Sequence, residues 1–168
     1  TAIRDNDPVY VMENTTLYGN TGEVPDPAAG DFLIPLGKAD IKREGSDISL
    51  IAHGASVLRC LEAADILANE HNIDAEVVDL RSIRPLDQDA IIESVKKTNR
   101  AVLVDESKPF CGVSAQITTL IQEYAFDYLD APVKRVCTID APAIYSPHVE
   151  PDQLPNAKRI VAQVLTIA

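Results

Sequence analysis

The chain has no tryptophan, one methionine and only three phenylalanines in 168 residues, so its core has to be built from aliphatic side chains. Three cysteines, Cys60, Cys111 and Cys137, lie far apart with no C-x-x-C pair; their apolar neighbours read as small core residues in a reducing compartment, and no disulfide framework is implied. No apolar run reaches membrane-spanning length, and the N-terminus lacks the basic-then-apolar order of a signal peptide. Positive charge is also scarce, with 15 Lys and Arg against 26 Asp and Glu and a formal charge of -11. That balance argues against nucleic acid or an anionic membrane as partner and favours a basic protein surface. Walker, dinucleotide and G-x-S-x-G signatures are absent.

What is present is enough aliphatic material, at 46% hydrophobic content, for one domain of ordinary size. Pro8 to Glu13 reads as a strand with no partner nearby, which suggests a piece of something longer. Gly19, Gly22, Pro25, Pro27 and Gly30 then mark a linker, placed at 18–31. Phe32 to Pro35 and Lys38 to Lys42 read as extended, and the turn from Glu44 to Asp47 reverses the chain into a strand from Ile48 to Ala52.

Helices are expected at about Ser56 to Glu70, with Val57, Leu61, Ala64 and Ala68 inward, and at Gln88 to Thr98, with Ile91, Ile92 and Val95 inward. Two more follow, one from Gly112 with Ile117, Leu120, Ile121 and Tyr124 on one side, the other after Asn156 with Ile160, Val161, Val164 and Leu165 apolar. Intervening strands fall at Ala75 to Leu80, Arg100 to Asp105 and Val133 to Ile139. Strands this apolar, alternating with helices, predict a three-layer α/β/α domain around a mostly parallel mixed sheet.

Ligands of open α/β sheets sit beyond the carboxyl ends of the strands, where this chain carries His53-Gly54, Arg81 to Arg84, Asp105-Glu106-Ser107 and Asp140. A crevice with a titratable His53, cationic Arg81 and Arg84, and orienting carboxylates is the sharp reading; polar strand ends are also ordinary in such folds. Asp79 to Asp87 (D-L-R-S-I-R-P-L-D) ends a strand, and its Asp87 is placed to cap the next helix. Ser107 or Ser114 with His53 is a weak hydrolase arrangement without a nucleophile elbow. His53, His71 and His148 are too scattered for a metal site, and Phe110-Cys111-Gly112 suits a tight turn better than an anion nest.

Read together, D-F-L-I-P-L-G-K-A-D-I-K-R-E-G-S-D-I-S-L-I-A-H-G (31–54), E-V-V-D-L-R-S-I-R-P-L-D (76–87), E-S-V-K-K-T-N-R (93–100) and F-D-Y-L-D-A-P-V-K-R-V (126–136) closely resemble the beta subunit of thiamine-diphosphate-dependent pyruvate dehydrogenase. The resemblance covers essentially the whole chain but not the whole subunit. It implies the end of a pyrimidine-binding domain at 1–17, a linker at 18–31 and a transketolase C-terminal-like domain at 32–168. Branched-chain or acetoin 2-oxo acid dehydrogenase beta subunits share most of these motifs, and a non-catalytic acidic interaction module is the alternative of another class.

By this resemblance, thiamine diphosphate and magnesium belong to the complete enzyme, with none expected on this piece and no catalytic or cofactor-binding residue within it. It further implies potassium ligation by Ala2, Asp5 and Asp7, where Asp7 replaces the family's asparagine, and contact of Asp130 and the terminal Ala168 with the subunit-binding domain of a dihydrolipoyl acyltransferase. The implied partners are an alpha subunit, a second beta subunit and that acyltransferase, in bacterial cytoplasm or mitochondrial matrix. The turn S-K-P-F-C-G-V-S departs from the family's glycine-rich pattern.

Overall fold

A computed structural model describes residues 1–30 and 32–168. Its five-stranded sheet comprises β1 (Asp40–Arg43), β2 (Ile48–Ala52), β3 (Ala75–Asp79), β4 (Ala101–Asp105) and β5 (Lys134–Cys137), in the order β1-β3-β2-β4-β5. All pairings are parallel except β1 with β3. The turn at Glu44 to Asp47 therefore does reverse the chain, but β3 inserts between the two strands it joins. Gly45 makes the turn possible, because a Cβ there would lie 2.3 Å from the Ala75 backbone.

Five helices complete the layers: α1 (Ser56–His71), α2 (Gln88–Thr98), α3 (Val113–Ala125), the short α4 (Glu150–Gln153) and α5 (Ala157–Val164). Side chains alternate across each strand, so β2 sends Ile48, Leu50 and Ala52 to one face and Ile51 to the other. The first face is covered by Cys60, Ala63 and Leu67 of α1 and Ile160 and Val164 of α5; the second by Ile91 and Val95 of α2 and Ile117 and Ile121 of α3. Every residue of β2 and β4 is buried, as two-sided cover requires. The chain steps from β2 outward to β3, then back across β2 to β4, and α1 and α2 accordingly lie on opposite faces.

Several expectations are corrected. Pro8 to Glu13 forms no strand: it pairs with neither edge of the sheet, and Tyr10 and Met12 are more than nine-tenths exposed. Phe32 to Pro35 likewise pairs with nothing. Residues 18–30 hold only the 3₁₀ turn Pro27–Ala29, and the boundary placed at Asp31 lies outside the described residues. The inner stripe of α1 is rotated from the expected one, onto Val57, Cys60, Ala63, Ala64 and Leu67, because α5 packs beside it as well as the sheet. Tyr124 and Leu165 are exposed, because the buried face runs through Ile121 and Ala125 in α3 and through Val161, Val164 and Ile167 at the end of the chain, and these two side chains fall beside it. Cys60 and Cys137 are core residues, but Cys111 is on the surface.

Asp87 joins local and tertiary structure. Its side chain accepts from Ala90 N (3.4 Å), capping α2, and from Ala39 N (3.1 Å), tying down the segment that enters β1. Lys38 Nζ lies 3.5 Å from the same carboxylate, which is almost fully buried. On the same face, towards the other end of α2, Ser49 Oγ meets Ser94 Oγ (2.6 Å) and Thr98 Oγ1 (2.7 Å), pinning α2 to β2 through buried hydroxyls. Replacing Asp87 with Ala removes one helix cap and orphans the Ala39 amide, and is expected to cost about 2 kcal/mol in urea unfolding with an unchanged m-value.

Candidate functional site at the carboxyl edge of the sheet

The direction of chain stepping changes at β2, whose neighbours β3 and β4 lie on opposite sides, so the crevice of this fold opens past the ends of β2 and β4. The two strands deliver His53 and Asp105 to that point. His53 Nε2 stands 3.6 Å from Asp105 Oδ1, too long for a hydrogen bond and close enough for charge to act.

Asp105 is the hub. Its Oδ1 accepts from Ser107 N (2.9 Å), and its Oδ2 accepts from Ser107 Oγ (2.6 Å) and from Ser114 N (3.0 Å) at the start of α3. Burial of this carboxylate, 4% exposed, pushes its pKa up, but the His53 imidazole, the Ser107 hydroxyl and the two backbone amides outweigh that and hold it well below the usual carboxylate range. Ser114 Oγ sits 3.5 Å from Cys137 Sγ at the end of β5, so the cluster spans three strands.

The loop between Asp105 and α3 is shaped to wrap this carboxylate. A Cβ on Gly112 would fall 2.2 Å from Ser107 Oγ and 2.7 Å from the Lys108 carbonyl, so only glycine lets the loop close. Cys111, before it, takes the left-handed conformation at φ 59°.

The other candidates do not join. Arg81 turns away to Asp40 (2.6 Å), Arg84 is exposed beside a cis bond to Pro85, Asp140 Oδ1 faces Lys108 Nζ at 3.9 Å, and Glu106 accepts from Asn14 Nδ2 at 3.2 Å. The expected convergence of His53 with Arg81 and Arg84 is thus replaced by His53 with Asp105, Ser107 and Ser114; the arginines lie beyond β3, whose outer neighbour β1 supplies the carboxylate of Arg81. Ser107 donates its hydroxyl proton to Asp105 and Ser114 lies buried, so neither is presented as a nucleophile. His71 ends α1, and His148 is exposed in the segment before α4.

Ala2 lies in a 3₁₀ turn, and Asp5 Oδ1 accepts from Asp7 N (3.0 Å). Asp130 is exposed, with Arg100 Nη2 3.7 Å from its carboxylate, and Ala168 ends the chain after α5 with its amide on Val164 O. Among the described residues no group of three His, Cys, Asp or Glu side chains is arranged to hold a metal ion. With Asp105 already saturated by donors of its own loop, the strand ends do not fit a magnesium-bound diphosphate.

Comparison with known proteins agrees with this architecture. Residues 37–160 match the family described as "Transketolase, C-terminal domain". The chain belongs to that family. It is 47% identical over 166 residues to the Bacillus subtilis acetoin:2,6-dichlorophenolindophenol oxidoreductase subunit beta, covering 99% of this chain and 47% of that protein. It is 46% identical to the Rickettsia felis pyruvate dehydrogenase E1 component subunit beta, covering 98% and 49%. The chain therefore spans about half the length of the curated relatives it matches. A solved structure titled "Split gene transketolase, inactive beta4 tetramer" superposes with a TM-score of 0.71 at 27% identity, covering 87% of this chain and 45% of that one.

The Asp105 network predicts a pH signature. A carboxylate whose pKa is lowered on folding stabilises the fold above its unfolded pKa of about 3.9, and that contribution drains away as pH falls below it towards the lower folded value. Asp105→Asn is expected to destabilise the protein by about 2 kcal/mol at pH 7. The gap from wild type should narrow below about pH 4, as followed by urea midpoints across pH.

Proposed function

We propose that this chain is the carboxyl-terminal part of an E1 beta-like subunit of a thiamine-diphosphate-dependent dehydrogenase, serving subunit assembly and docking rather than the chemical step. The observation that carries it is the identity of 46% or more with two such beta subunits along nearly the whole chain. The structure supports it by leaving apolar side chains outside the core: Ile3, Tyr10, Met12 and Val24 in the first 30 residues are each more than four-fifths exposed. In the complete enzyme, thiamine diphosphate would supply the carbanion chemistry and other chain segments its binding site. This domain's sheet is sealed on both faces, and its strand-end carboxylate is committed to holding a loop.

The leading substrate reading is pyruvate, with acetyl transfer to lipoyl groups. Acetoin is the second, favoured by the acetoin-oxidising relatives from Bacillus subtilis and Cupriavidus necator at 47% and 45% identity. Co-expressing the full-length subunit with its alpha partner and following dichlorophenolindophenol reduction separates them. Reduction with pyruvate and not acetoin is the expected result; the opposite preference selects the second reading, and no activity with either removes both.

Docking is proposed at Asp130 and the Ala168 carboxylate, facing a basic subunit-binding domain of an acyltransferase core, in the bacterial cytoplasm or the mitochondrial matrix. Potassium ligation by Ala2, Asp5 and Asp7 is proposed on the same family basis. In the full-length subunit, Asp130→Ala is expected to weaken binding to the acyltransferase about tenfold, as befits loss of a charged interface pair, while reduction of the artificial acceptor stays unchanged. Surface plasmon resonance reads the first and the dye assay the second; unchanged binding takes Asp130 out of the interface.

A further inference from the structure

Beyond assembly and docking, the outer edge of the sheet carries a cleft of the opposite character to the rest of the molecule. It has a volume of ≈ 390 Å³ and runs along β5, the last strand, between the loop before α3 and helix α5. Lys134, Arg135 and Arg159 line it against a single carboxylate, Asp140, in a chain whose formal charge is -11. That carboxylate is shared with Lys108, 3.9 Å away. Among the described residues, none of the three cations forms an ion pair with an acid. An acidic protein has carboxylates in excess, so three cations grouped without one are not explained by surface pairing.

Their donors are also only partly used. Arg159 spends three N–H groups on carbonyls, with Nη1 on Leu154 O (2.9 Å) and Gln153 O (3.2 Å) and Nη2 on Cys137 O (2.7 Å). A guanidinium has five donors, so two remain. These carbonyl bonds hold the group in place without neutralising it. Arg135 gives one bond, from Nη1 to Pro109 O (2.8 Å), and retains the rest. Gln163, also in the lining, bonds Thr166 Oγ1 through one N–H of its amide and has the second free.

We propose that this cleft binds a phosphate group, either inorganic phosphate or the phosphoryl end of a small phosphorylated molecule. Two guanidinium forks and one ammonium line the cleft, Lys134 and Arg135 leaving β5 on opposite sides as consecutive strand residues, and a tetrahedral dianion accepts hydrogen bonds from more directions than a planar carboxylate. Of these groups, Arg159 fastens the loop after β5 and is partly structural; Lys134 and Arg135 carry the ligand-specific share.

The test uses the full 168-residue chain, titrated with inorganic phosphate at low ionic strength and followed by calorimetry and by amide chemical shifts. Saturable binding is expected, with shift changes centred on Lys134, Arg135 and Gln163. Lys134→Gln and Arg135→Gln together should weaken it about tenfold or more, as loss of charge-assisted bonds implies, with Lys134→Gln alone giving a smaller loss in the same direction. Lys158→Gln, which removes a lysine outside the cleft lining, should leave binding unchanged. Glucose 6-phosphate binding with the same variant dependence would point to a phosphorylated molecule; binding of inorganic phosphate alone points to the free ion. Absence of saturable binding, equal loss with Lys158→Gln, or malonate binding as tightly as phosphate overturns the proposal.

Discussion

Burial of β2 and β4 on both faces is the constraint from which the other features follow. A strand covered on two sides can hold a polar group inside its run only where a partner is supplied, as Ser94 and Thr98 are for Ser49, and otherwise places such groups where it ends; helices that alternate faces as the chain steps outward and back put the crevice of the fold at those ends. His53 and Asp105 stand at that edge because they are the first polar residues after their strands' apolar runs. Their meeting is a result of topology, since residues more than 50 positions apart become neighbours only through the direct pairing of β2 with β4.

Asp105 then organises its surroundings. A buried carboxylate needs donors, and the loop after it supplies them from Ser107 and from the first turn of α3, with Gly112 letting the backbone come close enough. The serine at the start of this loop thus has a structural use: its hydroxyl is itself a partner of the carboxylate. The same commitment of donors keeps Asp105 ionised and unavailable as a ligand or base.

Charge is distributed with equal economy. Acidic surface dominates, which fits a chain whose proposed partner is basic, while β5 and α5 gather a small group of cations held by carbonyls instead of carboxylates. The first 30 residues remain outside both layers with their apolar side chains exposed, and the relatives it matches are about twice as long. These features are the ones on which the proposed assembly role rests.

Local chemistry in the sequence determined the elements. Local patterns and β propensity placed all five strands to within two residues at either end, and Asp87 and Asn156 announced their helices because a short polar side chain before an apolar run satisfies free amides. The ordered motifs likewise carried the family. Tertiary structure decided what local pattern could not. Pro8 to Glu13 had strand-like residues but lies against neither edge of the sheet. Tyr124 shared the periodicity of its helix but falls beside the buried face, which Ala125 completes. Arg81 looked free until β1 folded against β3 and brought it Asp40. The cationic cleft along β5 was invisible in the sequence for the same reason: Arg135 and Arg159 are far apart along the chain, and only packing of α5 beside the last strand makes them one surface.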